Sequence, residues 1–141
     1  MNYLAIAAFL VIVLFVSTTV WAVKHIRMAG DAPPVDELVR AQLWASAVSF
    51  GQLLVLILGC IIALFVSGDT GSSRLLAAVS SPVIVAGLVA SGLVALYPAY
   101  LCARMWRSGR GLLTERLHLA LHLTGEYALV VVLLCAGRTA G

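Results

Sequence analysis

The sequence predicts an all-α protein, a four-helix transmembrane bundle built as one integral membrane domain, with both termini on the non-cytoplasmic side. Three observations carry this reading. Hydrophobic residues make up 62% of the chain and charged residues 11%, against roughly 45–50% and about 25% in soluble domains. A chain of 141 residues has too much surface to hide that many apolar side chains in a globule. Four apolar runs, each near the ~20 residues that a bilayer crossing needs, are separated by polar stretches. This balance excludes a soluble enzyme, a zinc-finger module and a disordered region. Nucleic acid is not an expected partner, because the net charge of +3 comes from nine Lys/Arg against six Asp/Glu with no dense patch. In a membrane protein such an excess is a topology signal.

The first span covers residues 3–23, with Trp21 where an interfacial aromatic belongs. No basic stretch precedes it and no small-residue cleavage site follows, so it reads as an uncleaved span. A polar loop runs from Lys24 to Arg40, and Pro33 and Pro34 stop either helix from crossing it. The second span covers about residues 41–66, and the Gly/Ser-rich SGDTGSSR after it is a turn. The third covers about residues 78–102, with Pro98 expected to kink its last turns. A basic linker from Met105 to Arg116 leads to the fourth span, about residues 117–136. The first and third loops with their flanks hold Lys24, Arg27, Arg40, Arg104, Arg107, Arg110 and Arg116, and the opposite side holds Arg74 and Arg138. Seven basic residues against two put both basic loops in the cytoplasm. The expected location is a bacterial-type inner membrane. Cys60, Cys102 and Cys135 fall within apolar runs and read as buried free thiols, not a disulfide framework.

Polar groups in hydrocarbon are costly, so each one inside a span needs a reason. His118, His122 and Glu126 stand at i, i+4 and i+8, on one face of the fourth span. Glu126 is the single carboxylate well inside any span and falls near the bilayer middle. Gln42, Ser46, Ser49 and Gln52 form a stripe of similar depth on the second span, and Tyr97 and Tyr100 add polar groups from the third. The expectation is that Glu126 turns inward and bonds His122, Ser49 or Gln52. His118 and His122 are candidate metal ligands, but one helix supplies at most a partial shell, and interhelical hydrogen bonding is the plainer reading. A haem needs axial ligands from facing helices, and His25, on the same side as His118, reads as loop. Gly87, Ser91 and Ala95 form a ridge of small residues suited to close helix packing.

Two short stretches carry a family likeness. His25-Ile26-Arg27, then Pro33-Pro34, then Glu37-Leu38-Val39-Arg40-Ala41-Gln42 form the first, and Tyr100-Leu101-Cys102-Ala103-Arg104 the second. In these residues and in topology the chain resembles the membrane-associated proteins of eicosanoid and glutathione metabolism (MAPEG). The resemblance implies a trimer of four-helix subunits that binds glutathione at a subunit boundary. Arg40 and Gln42 match family ligands, with Arg27 and Arg104 as further anion contacts. A cationic pocket at the cytoplasmic surface suits a thiolate. The chain departs from the pattern at Trp44, Ala47 and Val48, where the family has asparagine, glutamate and tyrosine. His118 falls near the arginine that activates the thiol in one branch.

The leading expectation is therefore an oligomeric MAPEG-like protein with a cytoplasmic-side pocket within the membrane for a lipophilic ligand, with glutathione as the implied cofactor. The alternative is a non-catalytic accessory subunit of a larger respiratory, photosynthetic or oxygenase membrane complex. A third reading is a site for handling protons or metal at His118, His122 and Glu126.

Overall fold

A computed structural model describes residues 3–27, 36–67, 81–109 and 112–140. They form five helices: α1 (Tyr3–Arg27), α2 (Asp36–Ser67), α3 (Pro82–Val94), α4 (Leu96–Ser108) and α5 (Leu113–Ala140). α3 and α4 act as one crossing, so four stretches are long and apolar enough to span a membrane: Tyr3–His25, Glu37–Ile62, Pro82–Ser108 and Leu113–Arg138. Pro33, Pro34, Arg74, Arg110, Gly111 and residues 78–80, on which parts of the sequence reading fall, lie outside the described residues.

The helices run beyond the apolar segments at several ends. α1 continues through Lys24, His25 and Arg27, so His25 is helical and not loop. α2 starts at Asp36, and Glu37 in its first turn is favoured by the positive end of the helix. α3 opens with Pro82 directly after Ser81. The first helical position tolerates proline because its N–H would be unpaired anyway. The break between α3 and α4 falls at Ala95, ahead of Pro98, and its position follows from proline chemistry. Pro98 cannot donate to the carbonyl four residues back, that of Val94, and its ring crowds that carbonyl. The ladder resumes with the Ala99 amide donating to the Ala95 carbonyl at 3.1 Å. α4 ends on Gly109, whose φ of 68° is the left-handed conformation that glycine adopts without steric cost.

α5 is the central helix. It touches all four others, and α1 leans mainly on it. Of its apolar window 44% is buried, against 22% for each other crossing, so polar residues on its inner faces must find protein partners. The core has two apolar layers. Trp21, Leu38, Ala41, Ala45, Leu101, Met105, Leu119 and Leu123 pack at the end where α1 finishes and α5 begins. Ala7, Leu14, Ile84, Leu88, Leu129 and Leu133 pack at the other. Phe9, Ile12, Phe15, Leu54, Leu121 and Val131 are exposed on the outer surface, as lipid-facing side chains must be. Trp21 is only 2% exposed, so it is a core residue and not the interfacial aromatic that its position suggests. Cys60 is exposed, Cys102 buried and Cys135 between them, all as free thiols.

Candidate functional site

A connected polar cluster lies between the two apolar layers. From α5, Glu126 and His122 are 1% and 3% exposed. Ser49 of α2 donates to Glu126 Oε1 at 2.7 Å. His122 Nε2 is 2.9 Å from the same oxygen and 2.9 Å from Ser49 Oγ. On its other side, His122 Nδ1 is 2.7 Å from Ser17 Oγ of α1, which is 2.6 Å from His118 Nε2. The Trp21 indole lies against both imidazoles, with centroids 4.7 Å from His118 and 4.4 Å from His122. Gln52 Nε2 bonds the Glu126 carbonyl oxygen at 3.2 Å and Ser91 Oγ at 3.3 Å, tying α2, α3 and α5 together. Gln52 Oε1 and Glu126 Oε2 are buried without a hydrogen-bonding partner among the described residues.

Hydrogen counting assigns the direction of each bond. Ser49 has one hydrogen, and it goes to Glu126. His122 Nε2 must then supply the hydrogen shared between Ser49 Oγ and Glu126 Oε1. In a neutral imidazole Nδ1 is consequently an acceptor, so Ser17 donates to it and accepts from His118 Nε2–H. A single tautomer set thus satisfies every contact from His118 to Glu126. Charge–charge attraction within the His122–Glu126 pair is confined to a protonated His122.

The remaining residues singled out in the sequence are distributed differently. Gln42 is buried and its Oε1 is 3.0 Å from His25 Nε2. Arg104 pairs with Glu37 at 3.1 Å and stands over the Tyr100 ring. Arg27 and Arg40 are exposed. Tyr97 and Tyr100 are 38% and 58% exposed, so they face outward and do not join the buried cluster. Trp44 and Ala47 are exposed on α2, and Trp44 meets Tyr97 edge-on at 5.3 Å. Among the described residues no three His, Cys, Asp or Glu side chains converge as metal ligands would. Two members of the cluster, Ser17 and Trp21, were not among the candidates. The signal available for them is the spacing of Leu14, Ser17 and Trp21 along one face of α1.

Next to the cluster, α1 and α2 part to leave a groove of about 190 Å³ lined by Val11, Ile12, Leu14, Phe15, Thr18, Ser49, Phe50, Leu53 and Leu129. Ile12, Phe15 and Phe50 are exposed, so the groove opens on the apolar outer face. Its two hydroxyls are already committed as donors, Ser49 to Glu126 and Thr18 to the Leu14 carbonyl. Both keep lone pairs and can only accept.

Fold and site together define a helical protein with four helices of membrane-crossing type around a His–Ser–His–Ser–Glu chain whose inner members, His122 and Glu126, are buried. No family model matches the chain, and no match was found to a curated protein or to a solved structure.

Proposed function

We propose that this protein binds a small lipophilic alcohol or phenol in the groove between α1 and α2, with the ligand's hydroxyl donating to Ser49. The observation that carries this reading is the wall of the groove: apolar throughout except for acceptor hydroxyls, one of them bonded to the buried Glu126. A cavity of about 150 Å³ holds a benzene ring, so about 190 Å³ suits one substituted ring. The ligand reaches the groove from the lipid phase. In this reading the basic loops are cytoplasmic, both termini are outside, and the chain self-associates in a bacterial-type inner membrane, as a trimer if the MAPEG likeness reflects kinship.

The test uses a 4-alkylphenol and the matching alkylbenzene, titrated against the purified protein in detergent by calorimetry. The phenol should bind about tenfold tighter, which is the scale of one net hydrogen bond. Ser49→Ala should erase the difference. Equal binding of both probes, or a preference that survives Ser49→Ala, overturns the site. Mass measured in the same detergent tests self-association, and a monomer favours the accessory-subunit alternative.

The glutathione-dependent form of this reading has less support. Of Arg27, Arg40, Gln42 and Arg104, two already hold partners, so the tripeptide competes with Glu37 for Arg104 and with His25 for the Gln42 side-chain carbonyl oxygen. If glutathione binds, Arg40→Ala should weaken it by ~1.5–3 kcal/mol, the range for a charge-assisted contact. No binding by the parent protein removes the thiol chemistry and leaves the lipophilic pocket.

A further inference from the structure

We infer that His118, Ser17, His122 and Glu126 form a proton relay that carries protons from the end of the bundle where α5 begins to a carboxylate near its middle. Four properties of the chain carry this. Its links are continuous and short, at 2.6, 2.7 and 2.9 Å. Each relaying group, an imidazole or a hydroxyl, both gives and takes a hydrogen. The inner end is sealed, with His122 and Glu126 at most 3% exposed, whereas His118 is half-buried. Finally, the chain has two complete hydrogen-bonding arrangements.

In the first arrangement His118 is an imidazolium and Glu126 a carboxylate. His118 Nε2 donates to Ser17, Ser17 to His122 Nδ1, and His122 Nε2 to Glu126 Oε1. In the second, the proton of His118 Nε2 has passed to Ser17, that of Ser17 to His122 Nδ1, and that of His122 Nε2 to Glu126 Oε1. Every N–H and O–H bond broken is matched by one formed. His118 is left neutral with its proton on Nδ1, and Glu126 is a neutral acid donating back to His122 Nε2. All three contacts survive with their directions reversed, and the Ser49 hydroxyl donates to Glu126 Oε1 in both. One opposite-charge pair is annihilated without any heavy atom moving. At ~1.5 Å per residue, the eight residues from His118 to Glu126 take the proton about 12 Å deeper.

The surrounding charges leave the path one-sided. α1 brings Lys24, close enough to His118 to act on it electrostatically, together with His25 and Arg27 in its last turn. α5 itself brings Glu115 and Arg116, the latter stacked on Trp106 at 4.8 Å. α4 brings Arg104, paired with Glu37 of α2, and Arg107. Residues 41–66 of α2 and all of α3 contain no Asp, Glu, His, Lys or Arg. Beyond Glu126, α5 carries no further acid or histidine, and the neighbouring Tyr127 hydroxyl donates to the Gly92 carbonyl at 3.1 Å, so the relay ends there. It needs no occupant in the groove, and it stands or falls separately from the ligand reading.

The experiment is time-resolved infrared spectroscopy on the full chain in lipid vesicles, without ligand, after a rapid drop in pH. Glu126→Gln assigns the carbonyl stretch of the protonated carboxyl. In the parent protein this band should grow after the jump. Ser17→Ala should slow its growth about 100-fold, the scale on which a positioned proton-transfer group contributes, while leaving the bonds of Glu126 to Ser49 and His122 in place. Ser17→Thr, which keeps a hydroxyl, should restore the parent rate, a rescue that a purely structural role would not require. If Ser17→Ala fails to assemble, His118→Gln takes its place, since it removes the titrating entrance and should slow the band equally. An unchanged rate in the assembled variant, or a Glu126 band that never responds to pH, overturns the relay.

Discussion

Replacing Glu126 with leucine separates a buried, bonded carboxyl from a lipid-facing one by the sign of the stability change. The structure gives Oε1 two donors, the Ser49 hydroxyl and the His122 imidazole. In Glu126→Leu both lose their acceptor, but Ser49 Oγ and His122 Nε2 are already 2.9 Å apart. The imidazole N–H keeps Ser49 as its partner, and one hydroxyl hydrogen is left over. Interhelical hydrogen bonds in membranes average ~0.6 kcal/mol and reach ~1.7, so losing the one donor's bond predicts a destabilisation of about 0.6–1.7 kcal/mol. A carboxylate pointing into lipid would give the opposite result, a gain of about 2.5–3.5 kcal/mol when leucine removes the charge. The assay is reversible unfolding in mixed micelles followed by helical circular dichroism, on Glu126→Leu, Ser49→Ala and the double variant. The two single changes should couple by about 0.5–1.5 kcal/mol. Glu126→Gln should stay within about 1 kcal/mol of the parent, because its amide oxygen still accepts both hydrogens. A stabilised Glu126→Leu, or strict additivity with Ser49→Ala, refutes the assignment of this carboxyl to the interior network.

Three further measurements address packing, topology and the environment of Trp21. A Cβ at Gly87 would lie 3.0 Å from Val55 Cγ2, and β-branched valine has little rotameric freedom to withdraw. Gly87→Ala should therefore cost about 1–2 kcal/mol and be relieved by Val55→Ala. Gly125→Ala should cost less, since its contact is the flexible end of Leu14 at 3.1 Å. Cysteines introduced near Asp31 and Arg110 should react only with reagent on the cytoplasmic side and one near Thr70 only from outside; labelling of Asp31 and Thr70 from one side would break the four-crossing topology. Trp21 emission should be quenched on acidification as His118, the entrance imidazole stacked against it, gains a proton. Trp44 and Trp106, set against Tyr97 and Arg116, should contribute no such change, so Trp21→Phe should abolish the effect.

The four crossings could be read from sequence because hydrocarbon tolerates a long apolar run and little else. Their helical limits could not. Polar residues mark where hydrocarbon stops, whereas a helix stops where its backbone pairing stops, and the two differ wherever a polar side chain sits on a turn projecting past the bilayer. Lys24, His25 and Arg27 at the end of α1, and Asp36 and Glu37 at the start of α2, are such turns. At Pro98 the consequence of proline was legible but its place was shifted, because the carbonyl it deprives belongs to Val94 and the break at Ala95 lies ahead of the proline.

The site divides along a similar line. Glu126, His122, Ser49 and Gln52 could be grouped in advance, since a carboxylate at mid-depth needs partners and helical spacing restricts which polar groups share its level. Ser17 could not be distinguished from its neighbours. A serine or threonine within an apolar helix can satisfy its hydroxyl on its own backbone, as Thr18 does on Leu14 and Thr19 on Phe15 at 2.8 and 2.9 Å. Ser17 escapes that outcome because it shares with Leu14 and Trp21 the face of α1 that packs on α5. There its oxygen sits between two imidazole nitrogens set one helical turn apart. Two histidines on a single helix do not bond one another through ring nitrogens here. The α1 hydroxyl joins them. The relay is thus a property of the α1–α5 pairing, and neither helix contains it alone.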